Sequence, residues 1–226
     1  GSEMCIRDRF TPTATLELRS SGITNATFGF KLLNSASTAL LYVQDDGNVG
    51  IATSVPLQKL HIESGNFRMS VTSGSGVDGV VFAGANRFIH NYGGVFLGIN
   101  AGNFTLTGAN NVAVGANAGI GITSGYSNVF VGKDAGFVNS TGFQTTYLGY
   151  QAGYNGNTNN NICLGFQSGY SIGGFANVAI GYQAAYSSTA GNTNIIFGYN
   201  SGYSTTGSSN NLIGSNAGYR TTGDYN

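Results

Sequence analysis

The sequence predicts an all-β chain whose larger part is a parallel β-solenoid, or β-roll, of 16–17-residue coils, preceded by a small β-hairpin region. Three observations carry this. Charged residues make up only 8% of the 226, glycine supplies 37 of them, and one short pattern recurs eight times in the C-terminal part. An ordinary globular domain carries about 25% charged residues and ~7% glycine. With 9 basic and 9 acidic residues the net charge is zero, so the chain lacks an electrostatic footprint for nucleic acid or an anionic membrane. Its 41% hydrophobic and 12% aromatic content separates it from charge-rich disordered linkers. No apolar run approaches the ~18 residues of a membrane-spanning helix, and two prolines without glycine at every third position exclude collagen.

The elements follow in chain order. Residues 1–9, Gly-Ser-Glu-Met-Cys-Ile-Arg-Asp-Arg, resemble a translated sequencing adapter, so the natural N-terminus is expected to be missing. With Cys5 set aside, Cys163 stands alone, which leaves no disulfide framework and no paired-thiol metal site. Residues 10–62 read as an N-terminal β region with one solvated face. Leu16 and Leu18 alternate with Glu17 and Arg19, Phe28 and Phe30 alternate with Gly29 and Lys31, and Asp46-Gly47 is a turn signal. Residues 63–93 read as transition strands, with short apolar runs at Val80-Val81-Phe82 and Phe88-Ile89. Fourteen of the 18 charges lie in residues 1–93, and from Ala135 to Tyr219 there is no Asp, Glu, Lys, Arg or His. That shift in composition places a boundary near Gly93–Gly94.

Residues 94–226 form the repeat. It aligns on Gly98, Gly115, Gly132, Gly149, Gly165, Gly181, Gly198 and Gly214, each following a short apolar strand. One residue before each glycine stand Leu97, Val114, Val131, Leu148, Leu164, Ile180, Phe197 and Ile213. Three before stand Val95, Val112, Val129, Thr146, Ile162, Val178, Ile195 and Asn211. Four before is Asn in six coils, two after is an amide or its acid, three after is Ala or Ser, and four after is Gly except at Ala185. Alternation of period two predicts a strand with the minus-three and minus-one rows stacked inside the coil. The glycine turns the corner, and Asn and Gln stack on their own kind as hydrogen-bonded ladders at ~4.8 Å.

The minus-two row, Phe96, Ala113, Phe130, Tyr147, Cys163, Ala179, Ile196 and Leu212, is uncharged although it points opposite to its neighbours. A strand apolar on both faces is buried on both. Either it is flattened inside a wider coil, or the minus-two row is an inter-chain seam. The thin core of a coil only ~55 Å around, at ~3.3 Å per residue, favours the seam. Tyr154, Tyr170, Tyr186, Tyr203 and Tyr219 recur five after the glycine, and Tyr150, Tyr182 and Tyr199 one after. Stacked aromatics fill solenoids or seal interfaces; an exposed aromatic stripe would also suit glycan contact.

Chemistry is sparse. Gly74-Ser-Gly-Val-Asp-Gly79 matches the dinucleotide fingerprint in letters, but a strand-like run follows where a helix is needed. A single copy resembling half a calcium-binding nonapeptide turn is not a stacked site. Glycosidase chemistry needs two carboxylates about 5–10 Å apart. In the repeat region Asp134 and Asp224 stand more than five coils apart, on the order of 25 Å at ~4.8 Å per coil. His61 and His90 lie outside the solenoid and read as surface or interface residues. The expectation is therefore no enzyme, no catalytic or metal residues and no cofactor. Ice binding, a minor alternative for a flat uncharged solenoid, lacks a Thr-x-Thr row through every coil.

Asn111 to Gly115 (Asn-Val-Ala-Val-Gly) and Asn177 to Gly181 (Asn-Val-Ala-Ile-Gly) resemble the head repeats of trimeric autotransporter adhesins, although the repeat here is longer. Gly181 to Tyr186 and Gly198 to Tyr203 are more similar to repeats of phage tail-fibre proteins. Leu41 to Pro56, followed by Lys59-Leu60-His61-Ile62, resembles the Asp-Gly-Asn-Val-Gly-Ile linker of such fibres, with Ala52 in place of the usual glycine. The phage resemblance implies a structural tail-fibre shaft in the virion, a homotrimer that spaces or presents a receptor-binding region for attachment to a host cell. Its partner would be a cell-surface glycan or protein, with no nucleic acid and no membrane insertion. The alternative is the head domain of a bacterial trimeric adhesin at the bacterial cell surface.

Overall fold

The computed structural model describes residues 28–36, 39–44, 47–63, 80–83, 85–189 and 191–225. The adapter-like residues, Leu16 to Arg19, Asp46 and the Gly74–Gly79 stretch lie outside these. The chain divides into two compact units, Gly1–Arg68 and Met69–Asn226. Among the described residues every regular element is a strand.

The first unit holds a four-stranded sheet in the order β1 (Phe28–Leu33), β2 (Ala39–Gln44), β3 (Val49–Ile51), β4 (Leu60–Ile62). β1–β2 and β2–β3 are antiparallel, with Tyr42 and Gln44 as the buried alternate positions of β2. β3 and β4 pair in parallel, Val49 against Leu60 and Ile51 against Ile62, which the hairpin expectation did not include. The return is tight because Ala52 adopts φ +59° and the buried Pro56 packs over Gly50. Ala52 thus holds a left-handed conformation that glycine adopts without strain.

The second unit is one ten-stranded sheet. β5 (Val81–Ala83) and β6 (Asn86–His90) form an antiparallel hairpin, and β6 lies antiparallel to β7 (Gly94–Leu97). From there every pairing is parallel, through β8 (Asn111–Val114), β9 (Val129–Val131), β10 (Thr146–Leu148), β11 (Ile162–Leu164), β12 (Val178–Ile180), β13 (Ile195–Phe197) and β14 (Asn211–Ile213). The stack is a β-solenoid, and its register is the alignment read from the sequence: Tyr147 pairs with Phe130 and Cys163, and Ala179 with Ile196. All eight aligned glycines sit at equivalent corners with φ between 126° and 139°. A Cβ at Gly149 would overlap the carbonyl of Gly165 in the next coil, so the corner excludes any side chain.

The two sides of the strand are the reverse of the sequence expectation. Phe96, Ala113, Phe130, Tyr147, Cys163, Ala179, Ile196 and Leu212 are the interior of the coil, with exposures of 0–7% within a single chain. They are not available as an inter-chain seam. Leu97, Val114, Val131, Leu148, Leu164, Ile180, Phe197 and Ile213, expected inside, face outward, and Leu148 is 49% exposed. The reason is room. The opposite wall carries Ala or Ser at plus three and Gly at plus four, small enough to receive one row of side chains. Gly102 lies against the Phe96 ring and Gly153 against the Tyr147 ring. In three coils plus seven opposes the size of minus two: Ile122 accompanies Ala113, Ile172 accompanies Cys163, and Gly156 leaves space for the Tyr147 hydroxyl. The interior row is thus buried within one chain, without a partner.

An asparagine ladder runs beside this row. Asn128, Asn177, Asn194 and Asn210 each donate their backbone N–H to the Oδ1 of the Asn one coil earlier, at 2.8–3.1 Å. Each amide also crosses to a glycine carbonyl of the following turn, as in Asn177 Nδ2 to Gly191 O at 2.9 Å. Thr145 replaces Asn in one coil and donates both its N–H and its hydroxyl to Asn128 Oδ1. The ladder satisfies polar groups that a coil this narrow must bury.

Candidate interaction faces

Two surfaces of the solenoid have the regularity of built features. The first is the outward face of β7–β14. Its minus-three and minus-one rows are aliphatic apart from Thr146, Phe197 and Asn211, and all their side chains are half-buried or exposed. The plus-one row continues the alternation past the corner with Ile99, Ala116, Lys133, Tyr150, Phe166, Tyr182, Tyr199 and Ser215. Seven steps of ~4.8 Å by four residues of ~3.3 Å give a strip of roughly 34 by 13 Å. At roughly 450 Å² it equals the largest apolar patch of an ordinary soluble monomer, and such patches are often functional.

The second surface is aromatic. Phe137, Tyr154, Tyr170, Tyr186, Tyr203 and Tyr219 stack one on the next with centroids 4.9–5.1 Å apart and planes within 12° of parallel. Tyr150, Phe166, Tyr182 and Tyr199 form a parallel ladder at 5.0–5.2 Å, and Tyr126 stacks on Phe143 at 4.9 Å. Each such pair adds about 0.5–1.5 kcal/mol beyond its buried area. Stacking covers the ring faces along the ladder, so edges and hydroxyls are what the solvent meets. A sugar that packs on a ring face finds no such face between the rungs. An open groove of about 410 Å³ runs along this ladder, lined by Ser187, Tyr203, Ser204, Thr206, Tyr219, Arg220 and Thr222. Burial, followed by repulsion from neighbouring tyrosinates, raises the pKa of Tyr170 and Tyr203 above 10.0.

A short amide ladder lies at plus two, where every residue adopts φ between 50° and 57°. Gln183 donates to Gln167, and Gln167 to Gln151, both at 2.8 Å. Asn117 donates to Asp134 Oδ1 at 3.0 Å, and Lys133 Nζ stands 3.9 Å from Asp134 Oδ2 and 5.8 Å over the Tyr150 ring. Asp224, far along the stack, is exposed and accepts the Ser208 N–H. Cys163 is a buried free thiol whose pKa is pushed up by desolvation. His61 pairs with Glu63 at 3.1 Å. His90, the last residue of β6, is buried rather than at a surface: its ring stacks on Phe96 at 4.5 Å, and its Nε2 lies 2.8 Å from the Ala101 carbonyl oxygen. Among the described residues no three His, Cys, Asp or Glu side chains group as metal ligands, and no helix is long and apolar enough to cross a membrane.

Sequence reasoning missed the outward face as the unpartnered one. The signal was present in the size opposition between minus two and plus seven, and in Ala185, the one plus-four residue with a Cβ, which sits in the coil whose minus-two residue is Ala179. Comparison with protein-family models, curated proteins and solved structures finds no match to this chain.

Proposed function

We propose that the chain is part of the shaft of an elongated homo-oligomeric fibre, a trimer in which copies pack through the outward face of β7–β14. The shaft spaces or presents a receptor-binding region and performs no catalysis. The observation that carries this reading is the face itself. It presents two apolar rows along eight coils, on a solenoid whose interior is already full, so burying it requires a surface outside this coil. The stacked ladders suit the role, since each rung repeats the same bonds along one axis and resists extension without a large core. The resemblance of Leu41 to Pro56 and of the Gly198 to Tyr203 repeat favours a phage tail fibre located in the virion. The Asn-Val-Ala-Ile-Gly resemblance favours the second reading, the head of a bacterial trimeric adhesin at the cell surface. A chaperone domain in the complete gene selects the first and a membrane-anchor barrel the second.

The test is the assembly state. Analytical ultracentrifugation of the purified chain is expected to give a trimer. Ile180→Lys and Phe197→Lys are expected to give monomers with an unchanged β circular-dichroism spectrum. A monodisperse wild-type monomer overturns the reading.

A further inference from the structure

We infer that Lys133, together with Asp134, sets the axial register in which copies of this chain pack; the inference rests on the homo-oligomeric reading above. The outward face has a problem that its regularity creates. Its minus-three and minus-one rows repeat similar apolar side chains every ~4.8 Å, so sliding one copy by a coil mostly exchanges one aliphatic residue for another, with Thr146, Phe197 and Asn211 as the exceptions. A strongly repeating interface specifies direction and composition but not level. Level needs a residue that occurs once.

The charges of the repeat fall at two levels, Lys133 with Asp134 in the third coil and Arg220 with Asp224 in the last, and of the four only Lys133 stands in the plus-one row that borders the apolar face. Between Gly94 and Tyr219 the only charged side chains are Lys133 and Asp134. Lys133 occupies plus one, two residues beyond Val131, at the border of the apolar face, with its side chain 59% exposed. The same row carries Ala116 one coil before and Tyr150 one coil after. Asp134 is the single acid in a plus-two row otherwise made of amides. Its carboxylate is held, 11% exposed, with Oδ1 accepting the Asn117 amide and Oδ2 turned toward Lys133 at 3.9 Å. The carboxylate is therefore a fixed point and the lysine a long arm that reaches either its own Asp134 or that of a copy alongside.

In an assembly with no stagger, every Lys133 and every Asp134 lie at one height, and the charges are matched around the axis. A slip of one coil carries each ammonium ~4.8 Å away from the opposing carboxylate and against apolar rows. Separating an ion from its partner while desolvating it is costly, whereas replacing both charges with neutral groups costs little. A single polar residue that fixes register in an otherwise apolar seam is a known device of coiled coils. The same logic applies to stacked coils.

The experiment uses the full chain with Cys5→Ser, which leaves only the buried Cys163, and Ser215→Cys, a site at plus one of the last coil, carrying a nitroxide spin label. Distances between copies are read by double electron–electron resonance and mass by ultracentrifugation. With Lys133 and Asp134 present, one narrow distance distribution is expected. The double variant Lys133→Leu/Asp134→Asn is expected to keep the oligomer mass but to show added distances from copies displaced by whole coils of ~4.8 Å. Lys133→Arg is expected to keep the narrow distribution. An oligomer whose neutral double variant stays as narrow as the wild type overturns this inference and leaves the fibre reading standing. A wild-type monomer overturns both.

Discussion

Phe130 and Val131 are neighbours on β9, yet one is inaccessible inside the coil and the other half-exposed on the outward face. The contrast repeats on all eight strands of the stack. The inner side varies in size from Ala179 to Tyr147 and is individually fitted to plus four and plus seven. The outer side is mostly Val, Leu and Ile, apart from Thr146, Phe197 and Asn211, and has no facing wall in this chain. Variation with compensation marks a packed interior, and the outer rows show no such compensation. Hydrophobicity alone does not separate the two, since both sides are apolar.

The largest expected effect tests this contrast directly. Phe130→Ala removes a fully buried ring that stacks on Tyr147 at 5.5 Å, and is expected to cost about 3–5 kcal/mol. Val131→Ala, one residue on, is expected to cost about 1 kcal/mol or less, because its side chain is only partly removed from water. Urea unfolding of both variants, at a concentration where they share one assembly state, gives the comparison. Equal losses would break it.

The second effect is that of the ladder. Asn177→Ala removes the acceptor of the Asn194 N–H and the donor to the Gly191 carbonyl, leaving both buried groups unpaired. At about 1–3 kcal/mol for each of the two groups, a loss of roughly 2–6 kcal/mol is expected from the same unfolding measurement. Asn177→Thr should lose a similar amount at these two groups, because Thr145, in the equivalent slot of another coil, donates its hydroxyl to Asn128 of the preceding coil instead.

These residues show what was legible in the sequence. The corners were, because a glycine that closes an apolar strand in all eight coils marks a turn no side chain can enter. So was the parallel register, because the spacing is the pairing. The inward row was not, since period two says only that minus two opposes minus three and minus one. Which side turns inward is decided by the far wall, and a strand-by-strand reading does not weigh Ala118 or Gly136 against Phe130. A further left-handed corner at minus five, where Asn110, Ser127, Gln144, Asn160, Ala176, Thr193 and Ser209 have φ of 55–62°, was hidden because glycine marks it only in the first coil, at Gly93 with φ 70°. The hydrogen-bonded stack above and below holds β-branched Thr193 in that conformation, one that composition alone would not assign to it.

A smaller effect separates the aromatic ladder from the interior. Tyr147, deeply buried, has its pKa raised mainly by desolvation, and Tyr170 and Tyr203 are raised in the same direction. The folded state therefore prefers the protonated phenol. The resulting stability is fully present below the unfolded-state value of 10.0 and is lost as pH rises through and beyond it. Above pH 10 the loss is expected to approach about 1.4 kcal/mol per pH unit for Tyr147, until its folded form ionises. Absorbance near 295 nm should show that the Tyr147 phenolate forms only with unfolding. A single titration in which all tyrosines ionise together in the folded chain would place Tyr147 in solvent contact and contradict the inward assignment.

The smallest expected effect is a coupling, and it probes the size compensation itself. Gly169 has φ +58°, and a Cβ there would collide with the Cys163 sulfur, while its next contacts, Cys163 Cβ at 3.3 Å and Ile172 Cβ at 3.4 Å, are close but tolerable. The chain already contains the compensated version of this site. Ala185 holds φ +51° at the same position of the next coil, where the minus-two residue is Ala179 and carries no sulfur. Gly169→Ala alone should therefore incur both the left-handed strain, about 1–2 kcal/mol, and the collision. In a Cys163→Ala background the collision is gone and only the strain remains. A double-mutant cycle should show the pair costing less than the sum of the single variants by about 1 kcal/mol, a coupling expected only of residues in contact. Strict additivity would mean that plus four does not sense minus two, and that the glycine is required for its backbone conformation alone.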